Sequence, residues 1–81
     1  MKTKILTSLC YTELVYQRIN KKLQLQLTPP EIETFIYQTI AKPDSIIEKK
    51  GKNFYISNST LKVRVTVNSH NYRVITADKL L

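Results

Sequence analysis

The chain has 81 residues and a formal net charge of +7, from 13 Lys and Arg against 6 Asp and Glu, with 42% hydrophobic residues. This length fits one small domain over residues 1–81, and the apolar content excludes a disordered polycation as the main state. With one cysteine and one histidine, the chain cannot form an internal disulfide or a zinc site of the usual Cys/His type. We therefore expect a domain that folds without disulfide, metal or cofactor, most simply in the reducing cytoplasm.

The N-terminal residues are not typical of a signal peptide. Thr7 and Ser8 interrupt the apolar run, and Glu13 follows it. The run is also far too short to span a bilayer. We expect no membrane partner.

The positive charge is concentrated in two segments. Residues 1–23 carry five bases and one acid (+4), residues 24–48 one base and four acids (−3), and residues 49–81 seven bases and one acid (+6). No carboxylate lies between Lys49 and Ala77. A patch this one-sided repels itself unless an anionic partner is near, so we expect nucleic acid or an acidic protein; the alternative is that the lysines only maintain solubility.

Apolar residues recur at helical spacing between Ile5 and Leu23, which predicts a first helix. A second apolar row lies on its opposite side: Leu6, Cys10 and Leu14. Either this helix is covered on two faces, as in a homodimer that packs through the second row, or it breaks near Tyr11 and Thr12. In the second case, we expect a short N-terminal arm packed on the sheet.

The second helix is expected from about Pro29 to Ala41. Thr28 at the N-cap and Glu31 three residues later form a capping-box pattern, with prolines at the first two helical positions. The residue before Pro43 disfavours helical geometry and ends the element. The helical half therefore covers about residues 4–41.

After Asp44 the apolar period changes from the helical one to alternation, which predicts a β-meander over about residues 45–77. A possible edge strand at 45–49 precedes strands at 53–57, 61–67 and 72–76, with turns at 50–52, 58–59 and 69–71. Residues 77–81 are too short to assign, although their two leucines could cap the core as a last helical turn. The expected fold is α+β, with two N-terminal helices packed on one face of a three- to four-stranded antiparallel β-meander.

Two-residue turns would place Tyr55 opposite Lys62, Thr66 opposite Arg73 and Val65 opposite Val74, or shift the register by two with the same facing. The inner face then holds the apolar set: Phe54, Ile56, Leu61, Val63, Val65, Val67, Tyr72 and Val74. The outer face holds a second set: Tyr55, Lys62, Arg64, Thr66, Arg73 and Ile75.

One aromatic ring with three cations on an open sheet is typical of surfaces that hold single-stranded nucleic acid, since bases stack on the ring and phosphates pair with the cations. The candidate binding residues are Tyr55, Lys62, Arg64 and Arg73, with Lys49, Lys50 and Lys52 at the rim. The leading hypothesis is a non-enzymatic module that binds RNA or DNA. The plain alternative is that such residues simply suit a solvent-facing strand.

The sequence offers little catalytic chemistry. A single glycine excludes a Gly-rich phosphate loop. The remaining enzymatic alternative is a metal-independent ribonuclease in which His70 is the general acid or base, Arg73 or Arg64 stabilises the phosphorane and Tyr72 positions the scissile group. His70 in a Ser-His-Asn turn is otherwise an ordinary turn residue.

Several segments are similar to known proteins: residues 10–16 (CYTELVY), 18–23, 50–56 (KGKNFYI) and 72–79 (YRVITADK). They resemble a family of short bacterial proteins catalogued as a domain of unknown function, and the likeness covers nearly the whole chain. It implies that the Val74–Lys79 end belongs to the domain, but no activity, cofactor or catalytic residue. In size and style the chain is also similar to mobile-element inhibitors of defence nucleases, which makes a nuclease inhibitor or partner the second hypothesis. The Gly-Ser-His motif of small toxin ribonucleases is absent.

Overall fold

The computed structural model describes residues 1–80 and shows three helices followed by a four-stranded antiparallel sheet. The elements are α1 (Lys2–Ser8), α2 (Glu13–Leu23), α3 (Pro29–Ala41), β1 (Ile46–Lys50), β2 (Asn53–Asn58), β3 (Val63–Asn68) and β4 (Val74–Lys79). Neighbouring strands are hydrogen-bonded in chain order. The predicted α+β class and the order of helices before strands are confirmed.

The first predicted helix is broken, which was one of the two alternatives. Residues 9–12 separate α1 from α2, and Cys10 forms a parallel bridge with Arg73 at the start of β4. The Cys10 N–H donates to the Tyr72 carbonyl at 3.1 Å, and the Cys10 carbonyl accepts from the Val74 N–H at 2.9 Å. The helix stops because these backbone groups bond to the sheet instead.

The break removes the basis for the predicted dimer interface. The prediction that Leu6, Cys10 and Leu14 form one apolar row on a continuous helix is wrong. Leu6 lies on α1, Cys10 on the linking segment and Leu14 on α2. Leu6 packs against the core.

The α3 helix begins and ends as predicted. Thr28 Oγ1 accepts from the Glu31 N–H at 3.4 Å, and Glu31 Oε1 accepts from the Thr28 N–H at 2.8 Å, which completes the capping box. Hydrogen bonding to the Glu31 carboxylate from the Thr28 backbone, and then from the Thr28 side chain, lowers the pKa of Glu31.

A core of buried apolar side chains lies between the helices and the inner face of the sheet. The helices contribute Ile5, Val15, Ile19, Leu23, Ile32, Ile36 and Ile40, and the strands contribute Phe54, Ile56, Val63, Val65, Val67, Val74 and Ala77. Tyr72 stacks on Phe54 from the same side, with ring centroids 6.2 Å apart. The predicted inner face is thus confirmed except for Leu61, which lies in a loop and is 38% exposed.

The β1–β2 turn forms where it was predicted. Lys50 pairs with Asn53, so Gly51 and Lys52 alone connect the strands. Gly51 has φ +59°, a left-handed conformation that glycine adopts without steric cost.

The predicted two-residue turn at Asn58 and Ser59 is wrong. Asn58 ends β2 and pairs with Val63, so residues 59–62 form the connection. The Asn58 side chain is buried, and its amide donates to Asp44 Oδ1 at 2.9 Å while its Oδ1 accepts from the Leu61 N–H at 2.8 Å. These bonds fix the longer loop.

The register between β2 and β3 therefore differs from the predicted one. Tyr55 pairs with Thr66 instead of Lys62, a shift of four residues. Because four is even, the facing of β2 and β3 is unchanged, but Lys62 moves into the loop, where its φ is +57°.

A β-bulge changes the facing within β4. Val67 pairs with Val74, which is the predicted alternative register, two residues from Val65. Thr66 pairs with Thr76, so Ile75 is an extra residue and the predicted pairing of Arg73 with Thr66 is wrong. The strand also continues to Lys79, so the predicted last helical turn is wrong for residues 77–79. Leu81 lies outside the described residues.

Candidate nucleic-acid interface

The outer face of the sheet is the side opposite the apolar core. Its central residues come from β2 and β3: Asn53, Tyr55, Ser57, Arg64, Thr66 and Asn68. Tyr55 opposes Thr66 and Arg64 opposes Ser57, which makes Tyr55 and Arg64 diagonal neighbours about 7–8 Å apart. The structure thus brings together an aromatic ring and a guanidinium that are nine positions apart in the chain (64 − 55 = 9).

The Arg64 side chain is exposed and oriented by one hydrogen bond. Its Nε donates to Ser57 Oγ at 3.2 Å. Among residues 1–80, the structure shows no partner for its two terminal nitrogens. A guanidinium held at Nε presents these nitrogens as a planar fork, the geometry that pairs with a phosphate through two parallel bonds.

Tyr55 is half-buried, so part of its ring surface faces solvent. Its hydroxyl oxygen accepts a long hydrogen bond of 3.5 Å from Asn53 Nδ2. Thr66 opposite it is only 6% exposed. The ring is therefore held by its neighbours while it retains accessible surface for stacking.

Two carboxylates also reach this face. Glu48 pairs with Tyr55 from β1, and Asp78 pairs with Arg64 from β4. The long stretch without acids between Lys49 and Ala77 had suggested a purely basic face, but pairing brings acids from either side of that stretch. Asp78 forms an ion pair with Lys22 Nζ at 3.0 Å, with both side chains more than 40% exposed.

The α2 helix adds cations that the sequence analysis did not place at the site. It lies beside β4, where Arg18 Nη1 donates to the Ile75 carbonyl at 3.2 Å and Lys22 pairs with Asp78. Lys21 is exposed on the same helix. The signal that could have found them is the net +4 charge of residues 1–23.

The other predicted cations lie at opposite ends of the sheet. Lys50, Lys52 and Arg73 are at the end where the β1–β2 and β3–β4 turns meet, since the Ser69 N–H donates to the Lys52 carbonyl at 2.7 Å. Lys62 is at the other end, in the β2–β3 loop.

The Lys49 side chain lies on the opposite side of the sheet from the outer face. The residue pairs with Phe54, whose side chain is in the core, so Lys49 lies on the core side of β1. Within the described residues 1–80, Tyr55 and Arg64 are therefore the only two predicted binding residues that share the centre of the outer face.

The residues of the alternative ribonuclease site do not converge. His70 is exposed in the β3–β4 turn, and its N–H donates to Asn68 Oδ1 at 2.8 Å. Arg64 is four residues from Asn68 along β3, a distance of about 13 Å. Tyr72 and Arg73 follow His70 closely in the chain, but the Tyr72 ring stacks on Phe54 and is engaged there.

Tyr16 of α2 and Tyr11 of the preceding segment form a structural contact with α3. Tyr16 donates a hydrogen bond to Glu33 Oε2 at 2.7 Å, which raises the pKa of Tyr16 to about 12. The Tyr11 ring stacks on Tyr16 with centroids 5.6 Å apart, and burial raises the pKa of Tyr11. Both phenols therefore stay protonated at neutral pH and join the linking segment to the two helices.

Neither a membrane span nor a metal cluster is found in the described part of the chain. Among residues 1–80, every helix is too short or too polar to cross a bilayer. In the same residues, His, Cys, Asp and Glu side chains do not gather in groups of three or more that could bind a metal ion.

Comparison with known proteins identifies a family. No curated protein and no solved structure is significantly similar to the chain. A family model described as "Protein of unknown function (DUF3781)" matches residues 3–78. This stretch runs from α1 to the penultimate residue of β4, so it includes both the helical layer and the sheet. The chain therefore belongs to the DUF3781 family, which confirms the predicted membership of a family of unknown function.

Proposed function

We propose that the protein is a non-enzymatic module that binds single-stranded nucleic acid on the outer face of its sheet. Bases stack on Tyr55, and phosphates pair with Arg64. The observation that supports this proposal is the diagonal placement of Tyr55 and Arg64 on the uncovered side of the sheet, at a spacing suited to one nucleotide's base and phosphate.

The cations of α2 extend the proposed surface along β4. Arg18 and Lys22 are both exposed and contact β4. Lys22 offsets the charge of Asp78, the carboxylate opposite Arg64. A strand of nucleic acid that crosses from Arg64 towards α2 would therefore meet net positive charge despite Asp78, in a protein of net charge +7.

A titration with short fluorescein-labelled single-stranded RNA and DNA tests the proposal. Fluorescence anisotropy should show binding at low salt that weakens steeply as salt is raised, because phosphate contacts release counterions. Absence of binding to both oligonucleotides at low salt would contradict the proposal. Capture of a protein partner that survives nuclease digestion, without oligonucleotide binding, would favour a nuclease inhibitor or partner subunit instead.

Two variants separate the two kinds of contact. Arg64→Ala should weaken binding and reduce the slope of log affinity against log salt by about 0.7, the value for one phosphate of a single strand. Tyr55→Ala should weaken binding by about 1–3 kcal/mol with the slope unchanged, since stacking releases no counterion.

The matched control is Lys42→Ala. It removes one exposed cation at the C-terminal end of α3, in the helical layer. Its affinity and salt slope should stay close to those of the unmodified protein after allowance for one unit of net charge. An effect as large as that of Arg64→Ala would show that net charge, and not the outer face, determines binding.

A further inference from the structure

The β1 strand forms an open edge of the sheet. It is the first strand in the sheet order, with β2 as its one neighbour among the described residues. Four of its five residues are exposed, and Ile46 is 64% exposed. An exposed strand edge presents unpaired backbone groups to which another extended segment can bond.

The hairpin geometry shows which backbone groups are free. A two-residue connection is closed by a hydrogen-bonded pair, here Lys50 with Asn53. Hydrogen-bonded pairs alternate along an antiparallel ladder, so Glu48 and Ile46 also bond to β2. The N–H and C=O groups of Ile47 and Lys49 therefore point away from the sheet.

We propose that this edge binds an extended acidic segment of another protein as an added strand. The edge and its turn carry Lys49, Lys50 and Lys52 against the single acid Glu48. The bonding groups of Ile47 and Lys49 supply the ladder, and an acidic side chain opposite Lys49, on the core side of β1, supplies the charge pairing. An apolar residue of the partner would cover Ile46.

The charges disfavour a second copy of this chain as the occupant. Symmetric antiparallel pairing of two β1 strands centred on Glu48 would place two glutamates opposite each other, and pairing centred on Lys49 would do the same for two lysines. Like charges directly opposite are destabilising. Centring on Ile47 pairs only residues 46–48 and leaves the lysines outside the contact.

This surface is separate from the proposed nucleic-acid interface. It uses the backbone edge of β1, whereas the interface uses Tyr55 and Arg64 on the centre of the outer face. The two proposals can therefore fail independently.

The test uses a pair of end-blocked synthetic peptides, one with alternating Glu and Val and one with alternating Lys and Val. In amide NMR titrations of the full chain, the acidic peptide should shift the signals of Ile47 and Lys49. The affinity for the basic peptide should be lower by about tenfold or more, because each opposed like-charge pair is unfavourable. Equal binding of the two peptides, or shifts confined to Arg64 and α2, would overturn the proposal.

Two substitutions at one position separate backbone pairing from charge. Lys49→Pro removes an N–H that points away from β2, so it should abolish peptide binding while the β1–β2 ladder is kept. Lys49→Ala removes the same charge but keeps the N–H and should weaken binding only partly. Equal affinity of these two variants for the acidic peptide would overturn the proposal.

Two further measurements keep the test decisive if Lys49→Pro unfolds. Lys49→Glu should reduce or reverse the preference for the acidic peptide, and Lys42→Ala, which removes one positive charge just after α3, should leave the preference intact. An unchanged preference in Lys49→Glu would overturn the proposal. So would shifts at Ile47 that appear on raising the protein concentration without peptide, since they would assign the edge to a second copy.

Discussion

The two edges of the sheet are protected in different ways. The β4 edge is covered by the chain itself, since Cys10 bridges to Arg73 and Arg18 of α2 donates to the Ile75 carbonyl. The β1 edge is open and carries lysines. Covering an edge and placing charge on it are both known ways to prevent unwanted strand pairing. Residues 73–75 of β4 are bonded to the chain itself, whereas the charged edge disfavours only partners of the wrong charge.

The two edges are also held by different forces. At the β4 edge, α2 buries an apolar row against the core: Val15, Ile19 and Leu23. At the β1 edge, Asn58 bonds through its side chain to Asp44 and Ser45, immediately before the strand. Burial stabilises the first edge, and a polar network with a tight hairpin fixes the second.

The largest expected effect comes from weakening the covered edge. Ile19 is fully buried, and Ile19→Ala should lower the free energy of unfolding by about 2–5 kcal/mol through lost burial and a residual cavity. Urea denaturation measures this change. Leu14→Ala is the control on the same helix, where the side chain is 71% exposed, and it should change stability by less than about 0.5 kcal/mol. Equal losses in the two variants would mean that α2 does not cover the edge as described.

Hydrogen exchange compares the edges directly. The Val74 N–H donates to the Cys10 carbonyl at 2.9 Å, whereas the N–H groups of Ile47 and Lys49 point away from the sheet. Residue-resolved exchange should be slower at Val74 by roughly a hundredfold or more, because its exchange requires an opening of the structure. Similar rates at Val74 and Lys49 would show that the β4 edge is as open as the β1 edge.

The smallest expected effect is a pH dependence at the entrance to β1. Hydrogen bonds from Thr60 and then from Asn58 lower the pKa of Asp44. A lowered folded-state pKa gives stability that is fully present above the unfolded value of about 4 and is lost as pH falls through the folded value. Asp44→Asn should therefore lower the thermal midpoint at neutral pH, and the difference from the unmodified protein should shrink below about pH 4.

Thr60→Val is the companion to this measurement. It removes one of the two donors to Asp44, so it should show the same pH dependence with a smaller amplitude. A difference that stays constant down to acid pH in both variants would exclude the carboxylate as its source.

Elements with a local signal were predicted well. The α3 helix follows from Thr28, Glu31 and the prolines between them, and the β1–β2 turn follows from Gly51. The errors arose where distant residues decide the local structure. The helix break depends on the bridge from Cys10 to the start of β4, and neighbouring residues carry no sign of it.

The same rule explains the missed β2–β3 loop. Asn58 is a common turn residue in sequence, but in the structure it is buried and bonded to Asp44, fourteen positions earlier. The bulge at Ile75 is equally invisible to a count of alternating residues, because it is defined by pairing with β3.

Part of the candidate site could be predicted from the sequence, and the reason is geometric. Facing depends only on whether a register shift is even or odd, so Tyr55 and Arg64 stay on one face although the predicted pairing was four residues away. Lys62 was lost because it lies in the longer loop. Arg18 and Lys22 were missed because their proximity to β4 depends on how α2 packs.

The bridge between Cys10 and Arg73 also bears on how the chain reaches this structure. It joins positions separated by 63 residues (73 − 10 = 63), whereas the hairpins join neighbours. Closing so long a loop before other contacts exist is entropically unfavourable, and folding slows as contacts become more distant in sequence. We therefore expect the bridge to form after the meander, and substitutions there should act on the rate of unfolding more than on the rate of folding.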